Sequence, residues 1–387
     1  MSTATTLGLQ HTDPISSSRA KAWASELLSL ADVKINGSRP WDMEVHDERF
    51  YDRVLREGTL GLGEAYMDGW WESESLDEFF ARVLSAHLQE HLRLTPSFLW
   101  GFLRMRLLNA QSRSRAYEVG ERHYDIGNDL FKAMLDPTMT YSCGYWKEAT
   151  SLEEAQRQKL DLVCRKLDLK PGHRVLDIGC GWGSFAEYAA EQYGVKVVGV
   201  TISKEQAAYA EVRCDDLPVE IRLQDYREIQ GTFDRIVSIG MFEHVGRKND
   251  RTYMEVVARS LKEDGLFLLH TIGSNAAYPS PDPWIERYIF PNGILPAASQ
   301  VTAAYEKHFL MEDWHNFGVD YDPTLKAWFA NFERHWPSLA PAYGERFYRM
   351  WKYYLLSCAG LFRAREAQVW QIVLAKNGVP GGYGAVR

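Results

Sequence analysis

Short apolar runs alternate with helix-spaced stretches from about residue 171 to the end of the chain. RVLDIG, KVVGVT, VEIRLQ, DRIVSIG and GLFLLHTIG have strand length, and SFAEYAAEQYG, SKEQAAYAEVRCDD and NDRTYMEVVARSLKEDG lie between them with helical spacing. Such alternation predicts a doubly wound α/β fold, with a mostly parallel sheet covered on both faces. FLMEDWHNF and VWQIVLAK add two late strands, expected to be antiparallel and at the edge, for a seven-stranded Rossmann-like sheet. Pro171-Gly172 forms the turn into the first strand. Ser151 and Glu154 have the spacing of a capping box that opens the helix before it.

The chain before this region is smaller and mixed α+β. Residues 1–18 are polar, and Ser18 is expected to cap a helix over about 19–31 with Trp23, Leu27, Leu28 and Leu30 as its apolar face. Gly58, Gly61, Gly63 and Gly69 break the next stretch into short elements, and a helix is expected over 76–87. Between Ser97 and Arg115, Phe98, Leu99, Trp100, Phe102, Leu103 and Met105 alternate with Arg104 and Arg106. Apolar bulk interleaved with arginine suits a helix lying on a lipid surface, and equally an ordinary buried helix leading into a polar linker. The QSRSR stretch marks a boundary. The expected domains are 1–108, a linker at 109–120, and 121–387.

Composition narrows the class. A net charge of −8 argues against nucleic-acid binding, which needs a basic face. Five cysteines at irregular spacing suggest neither a disulfide framework nor a zinc site. No apolar run approaches the ~20 residues that cross a bilayer. The expectation is a cytoplasmic protein whose contact with a membrane, if any, is peripheral. Aromatic residues are 13% of the chain, enough to line a pocket for an apolar chain or a cation as well as to fill a core.

The strongest local signal is VLDIGCGWG, where an apolar strand runs into Asp177, Gly179, Gly181 and Gly183 before a helix. Ligands of doubly wound sheets bind beyond the carboxyl ends of the strands, and glycine lets them approach the backbone. A lone G-x-G-x-G is weak, since dinucleotide enzymes use a cousin of it. With Asp177 ahead of it and this spacing, it favours S-adenosylmethionine. The second strand ends at Thr201, where an acidic ribose ligand is common, with Gln206 a turn later. The third ends at Asp225 and Tyr226, suited to an adenine amine and ring face; Asp225 is alternatively a helix N-cap.

The fourth strand runs into Glu243-His244 and the fifth into His270. A histidine at such a strand end faces the crevice or is a satisfied structural group. Glu243-His244 lacks the H-E-x-x-H spacing and any further ligand cluster, so a metal is not expected.

HYDIGNDLFKAMLDPTMTYSCGYW, LDIGCGWG, VVGVTIS, SIGMFEHVG, LLHTIG, YIFPNG and DWHNFGVDYDPTL together resemble the cyclopropane-fatty-acyl-phospholipid synthase family over nearly the whole chain; mycolic acid cyclopropane synthases share the catalytic half. The resemblance implies a SAM-methyltransferase sheet and transfer of a methyl group from S-adenosylmethionine to a cis double bond of a phospholipid acyl chain, followed by ring closure. It implies bicarbonate as general base, held by Cys143, Glu243, His270, Ile272 and Tyr321. It places Tyr141, Gly179, Gly181, Thr201, Gln206 and Tyr226 against S-adenosylmethionine, which accounts for the missing acidic residue at position 201. It further implies an N-terminal lipid-binding domain, a homodimer and peripheral contact with the inner face of the membrane.

The chemistry suits these residues. An alkene is a poor nucleophile, so the sulfonium methyl must be held in line with it. The cation left on the chain needs a dry aromatic lining, for which Tyr288, Phe290, Trp314, Phe317 and Tyr321 are candidates. Cys143 as a covalent nucleophile is an alternative, but a thiolate would attack the sulfonium wastefully. Rival readings are a methyltransferase acting on O or N of a soluble molecule, and a catalytically silent lipid-binding protein.

Overall fold

The computed structural model describes residues 17–88, 127–278 and 280–387. The Phe98–Arg115 segment and the 109–120 linker lie outside the described residues.

The first described section holds α1 (Ser17–Leu30), β1 (Glu44–Val45), α2 (Arg49–Glu57), α3 (Thr59–Met67), β2 (Trp71–Glu72) and α4 (Leu76–Ser85). α1 begins at Ser17, so Ser18 lies inside the helix rather than ahead of it. Its inward face carries Ala20, Ala24 and Leu28, and Leu30 is exposed. β1 and β2 pair antiparallel.

α5 (Asn128–Met134) and α6 (Leu152–Lys166) precede β3 (Arg174–Ile178), α7 (Ser184–Tyr193), β4 (Lys196–Thr201), α8 (Lys204–Arg213), β5 (Val219–Leu223) and β6 (Phe233–Ile239). Then come α9 (Asp250–Ser260), β7 (Leu261–Ser274), α10 (Pro283–Tyr288), α11 (Ala298–Tyr305), β8 (Leu310–Asn316), α12 (Tyr321–Tyr343), α13 (Glu345–Arg363) and β9 (Ala367–Ala375). The Ser151 hydroxyl accepts the Glu154 N–H, as a capping box requires. The return bond is displaced by one residue, because the Glu154 carboxylate accepts from the Thr150 N–H and hydroxyl.

Seven strands form one sheet in the order β5-β4-β3-β6-β7-β9-β8. β3, β4, β5, β6 and β7 are parallel, and β9 runs antiparallel between β7 and β8. VWQIVLAK is therefore an interior strand, against the expectation of an edge. All nine residues of β9 are buried, and a strand covered on both faces has no reason to alternate polar and apolar residues. β8 and β5 are the edges.

One apolar cluster lies on each face of the sheet. A third joins the first section to α12 and α13. In it Trp71 packs on Phe79 at 5.2 Å, and Tyr353 of α13 meets Trp284 at 4.6 Å. α4 and α13 touch at Gly360, where an added Cβ would lie 2.6 Å from the Asp77 carbonyl oxygen. Strand order reverses about β3, which places a crevice at the carboxyl ends of β3 and β6.

Candidate active site

A cavity of about 730 Å³ opens at that crevice. β3 delivers Asp177, buried at the strand end, and the turn beyond it delivers Gly179 and Gly181. Gly179 has φ +83°, and an added Cβ would lie 2.7 Å from Met241, so no other residue fits this turn without displacement. β4 ends at Thr201, whose hydroxyl donates to Gln206 Oε1 at 3.1 Å and accepts the Ser203 N–H. Asp225 and Tyr226 line the same cavity past β5, and Tyr141 closes another side. All eight residues expected at a cosubstrate thus face one space.

Asp225 is also an N-cap, the alternative reading of it. Its carboxylate accepts the Arg227 N–H at 2.9 Å and forms an ion pair with the Arg227 guanidinium at 2.7 Å. The guanidinium holds its carboxyl below the usual range. The Tyr141 hydroxyl shares a 2.9 Å hydrogen bond with that of Tyr354, and its ring packs on Trp328 at 5.2 Å. Tyr354 escaped the sequence reading because it sits in a helix crowded with aromatic residues.

Cys143, Glu243, His270 and Tyr321 do not line the cavity; they are buried behind it. Glu243 Oε1 accepts the Ile272 N–H at 2.7 Å. A strand residue's N–H and C=O point to the same edge, so the Ile272 carbonyl also faces the Glu243 side. His270 Nδ1 lies 3.3 Å from Gln371 Nε2; with that amide nitrogen donating, the ring carries its proton on Nε2. Thr324, one turn into α12, accepts from the Gly144 N–H at 3.1 Å and the Trp146 indole at 2.8 Å. The Asp320 carboxylate accepts the Trp146 N–H at 2.7 Å. These bonds tie the segment carrying Cys143 to the start of α12, where Tyr321 stands.

Burial governs the protonation of this group. It pushes the Cys143 thiol and the Tyr321 phenol well above their ordinary values. The same cause, reinforced by Lys159 and Lys166, drives His270 well below its own. Glu243 is pushed up to about 7, the Ile272 N–H only partly opposing the desolvation. The cluster therefore holds a thiol, a phenol, a neutral imidazole and a carboxyl group that is half protonated at neutral pH. Burial that keeps the Cys143 thiol protonated argues against the covalent alternative.

Glu243 and His244 diverge. Glu243 is buried, while His244 is exposed at the cavity mouth, 5.6 Å from the Phe290 ring. Of the proposed aromatic lining, Phe290 packs on Tyr141 at 6.4 Å, Phe317 on His270 at 5.7 Å, and Tyr321 on Phe362 at 4.6 Å. Tyr288 is turned away, its hydroxyl donating to Glu64 at 2.8 Å. Trp314 belongs to the opposite face of the sheet, where it packs on Trp370 at 5.1 Å. Among the described residues no helix is long and apolar enough to cross a membrane.

A family model for mycolic acid cyclopropane synthetase matches residues 111–372. The chain is 57% identical over 367 residues to the cyclopropane-fatty-acyl-phospholipid synthase of Escherichia coli strain K12, across 94% of this chain and 95% of that one. Among solved structures it is similar to the cyclopropane synthase MmaA2 from Mycobacterium tuberculosis, at a TM-score of 0.62 and 36% identity over 66% of this chain and 96% of that one. It is also similar to the mycolic acid cyclopropane synthase CmaA1 complexed with SAH and CTAB, at a TM-score of 0.61 and 34% identity over 65% of this chain and 95% of that one.

Proposed function

The chain belongs to the mycolic acid cyclopropane synthetase family, and on that premise we propose that it adds a methylene bridge from S-adenosylmethionine across the cis double bond of phospholipid acyl chains. The observation that carries this reading is the pairing of a cosubstrate-sized cavity with a buried cluster of hydrogen-bonding groups outside its lining.

The cavity residues suit S-adenosylmethionine. Asp225 and Tyr226 are offered to the adenine, Thr201 and Gln206 to the ribose or amino-acid part, and the Gly179 and Gly181 backbone to close approach. Attack by the alkene forms a carbon–carbon bond and breaks the carbon–sulfur bond, releasing S-adenosylhomocysteine and leaving a cation on the acyl chain. Loss of one proton from the new methyl group lets its electron pair close the ring. The faces of Tyr141, Phe290 and Phe317 shield such a cation from water.

The donor cluster suits bicarbonate. Glu243 Oε2 is buried with no partner among the described residues, and so is Gln371 Oε1. In its protonated form Glu243 donates to an anion rather than repelling it. His270 with its proton on Nε2 and the Tyr321 hydroxyl are further donors; the Cys143 thiol would turn from the Gly144 carbonyl oxygen, to which it donates at 3.2 Å, and the Ile272 carbonyl, which accepts the Thr271 hydroxyl at 3.1 Å, has a second lone pair for a hydroxyl. Bicarbonate bound there supplies a base matched to neutral pH.

Residues 1–108 are proposed to bind lipid, 109–120 to link, and 121–387 to catalyse, in a homodimer that meets the membrane peripherally. α4 supports a role for the first section in the reaction. Asp77 and Glu78 pair with Arg363, which holds Asp322 beside Tyr321 through bonds of 2.9 and 3.0 Å. The test is incubation with S-adenosylmethionine and unsaturated phospholipid vesicles, followed by mass analysis of the acyl chains. A gain of one methylene with loss of alkene reactivity supports the reading; an O- or N-methylated product with unaltered chains overturns it.

A further inference from the structure

Lys159 lies on α6 with its side chain almost wholly enclosed, at 1% exposure. Its Nζ donates to the Ser142 hydroxyl at 3.0 Å. One turn earlier Gln156, fully buried, donates from Nε2 to the Ser142 carbonyl oxygen at 2.8 Å. Ser142 stands between Tyr141 at the cavity wall and Cys143 in the donor cluster, so α6 grips the one residue that joins the two halves of the site.

Charge gives this grip a second meaning. The ammonium interacts electrostatically with Asp136 from the loop after α5, Cys143, Asp177 at the end of β3, and His270 on β7. Lys159 also lines the cavity. A small anion behind that cavity would meet only formally neutral donors from Cys143, His270 and Tyr321. An anion moved out of water without a counter-charge is strongly disfavoured, and hydrogen bonds alone do not offset the loss. Of the two buried lysines whose charge reaches His270, Lys159 is the one that also acts on Cys143, and it is placed to compensate an anion there while it faces Asp136 and Asp177 on its other side.

We infer that Lys159 is a positioning residue of the reaction centre: its enclosed ammonium supplies the charge that retains a small anion at Cys143, Glu243, His270 and Tyr321, while its bond to Ser142 sets the segment carrying Tyr141 and Cys143. The inference rests on the reading of bicarbonate as the anion held there. It also gives α6 a reason to bury a lysine at this depth, which packing alone does not.

The test compares full-length wild type with Lys159→Met, which keeps the shape of the stem, and Ser142→Ala, which keeps the charge but removes the hydrogen bond. Turnover is measured against added bicarbonate in carbon-dioxide-free buffer, and binding of S-adenosylhomocysteine by calorimetry. Lys159→Met is expected to raise the half-saturating bicarbonate at least about tenfold, while Ser142→Ala shifts it by less than about threefold; S-adenosylhomocysteine affinity, which the shared loss of the Ser142 bond reaches through Tyr141, should change to the same extent in both variants. Equal losses of kcat in both variants at an unchanged bicarbonate requirement would reduce Lys159 to a structural prop and overturn the inference. A wild type indifferent to bicarbonate would overturn the bicarbonate reading and this inference with it.

A wild-type measurement covers the case in which a variant does not fold. Burial lowers the Lys159 ammonium to about 8, opposed by Asp136, Cys143 and Asp177. The half-saturating bicarbonate should therefore rise as pH climbs through that value, in Glu243→Gln, which has no carboxyl group to titrate there, as well as in the wild type. A requirement that stays flat from pH 7 to 9.5 overturns the inference.

Discussion

Glu243 Oε1 accepts the Ile272 N–H at 2.7 Å, which leaves Glu243 Oε2 buried with no partner among the described residues. One oxygen of the carboxyl group anchors the strand end, and the other is the one proposed to meet a ligand. Glu243→Gln keeps an acceptor for Ile272 and an N–H donor for an anion. It is expected to retain S-adenosylhomocysteine affinity and to lose roughly tenfold in turnover. Glu243→Ala strips the Ile272 N–H of its partner and should cost a further ~1–3 kcal/mol of stability in thermal unfolding.

The raised Glu243 value also makes a stability prediction. Its ordinary value is 4.5, and burial pushes it up to about 7 in the folded chain. Between these values the folded protein binds more protons than the unfolded one. The contribution is therefore fully present below about pH 4.5 and is lost as pH rises through about 7. The wild type should lose stability relative to Glu243→Gln across that window, approaching ~3 kcal/mol. Denaturant titrations of both proteins at pH 5 and 8 measure it; parallel pH dependence contradicts the assignment.

His270 is held neutral by burial, with Lys159 and Lys166 adding to the effect. Its proposed task is to donate from Nε2, so His270→Ala should bind S-adenosylhomocysteine as the wild type does while losing about 10²–10⁴-fold in turnover. Calorimetry and acyl-chain mass analysis separate the two effects. Full turnover in this variant would remove its role.

Gly179 combines φ +83° with a Cβ position 2.7 Å from Met241. Gly179→Ala must displace Met241 or the turn, both at the cosubstrate cavity. S-adenosylhomocysteine affinity should fall by at least about 100-fold, with stability lower by ~1–3 kcal/mol. Unchanged affinity would separate this turn from cosubstrate binding.

Tyr354→Phe removes the partner of the Tyr141 hydroxyl. The expected cost is ~1–2 kcal/mol in stability, with reduced turnover because the Tyr141 ring is freed to shift. A double Tyr141→Phe/Tyr354→Phe variant should recover the stability but not the turnover.

The sheet could be read from the chain because each parallel strand is a short apolar run bounded by turns. The residues that line the cavity could be read because doubly wound folds place ligand crevices at strand ends. Other features were hidden for physical reasons. The interior place of β9 is not legible, since an apolar run shows that both faces are covered but not which strands lie on either side. Trp314 was placed in the site, yet the pairing of β8 slips between Met311 and Asp313, and a one-residue slip moves a side chain to the other face. Gln156 and Lys159 were passed over because a buried polar residue on a helix has the same letter as an exposed one. Thr324 and Gln371 were missed for the same reason: their hydrogen bonds join segments far apart in the chain.

The central claim is that a proton leaves the newly transferred methyl group before the ring closes, and isotope counting tests it most directly. S-adenosylmethionine bearing a fully deuterated methyl group is supplied with unsaturated phospholipid vesicles, and the product acyl chains are weighed. The account predicts a bridging carbon that keeps two of the three deuterium atoms. A product that keeps all three, as a methyl branch or a methyl ether, would contradict it.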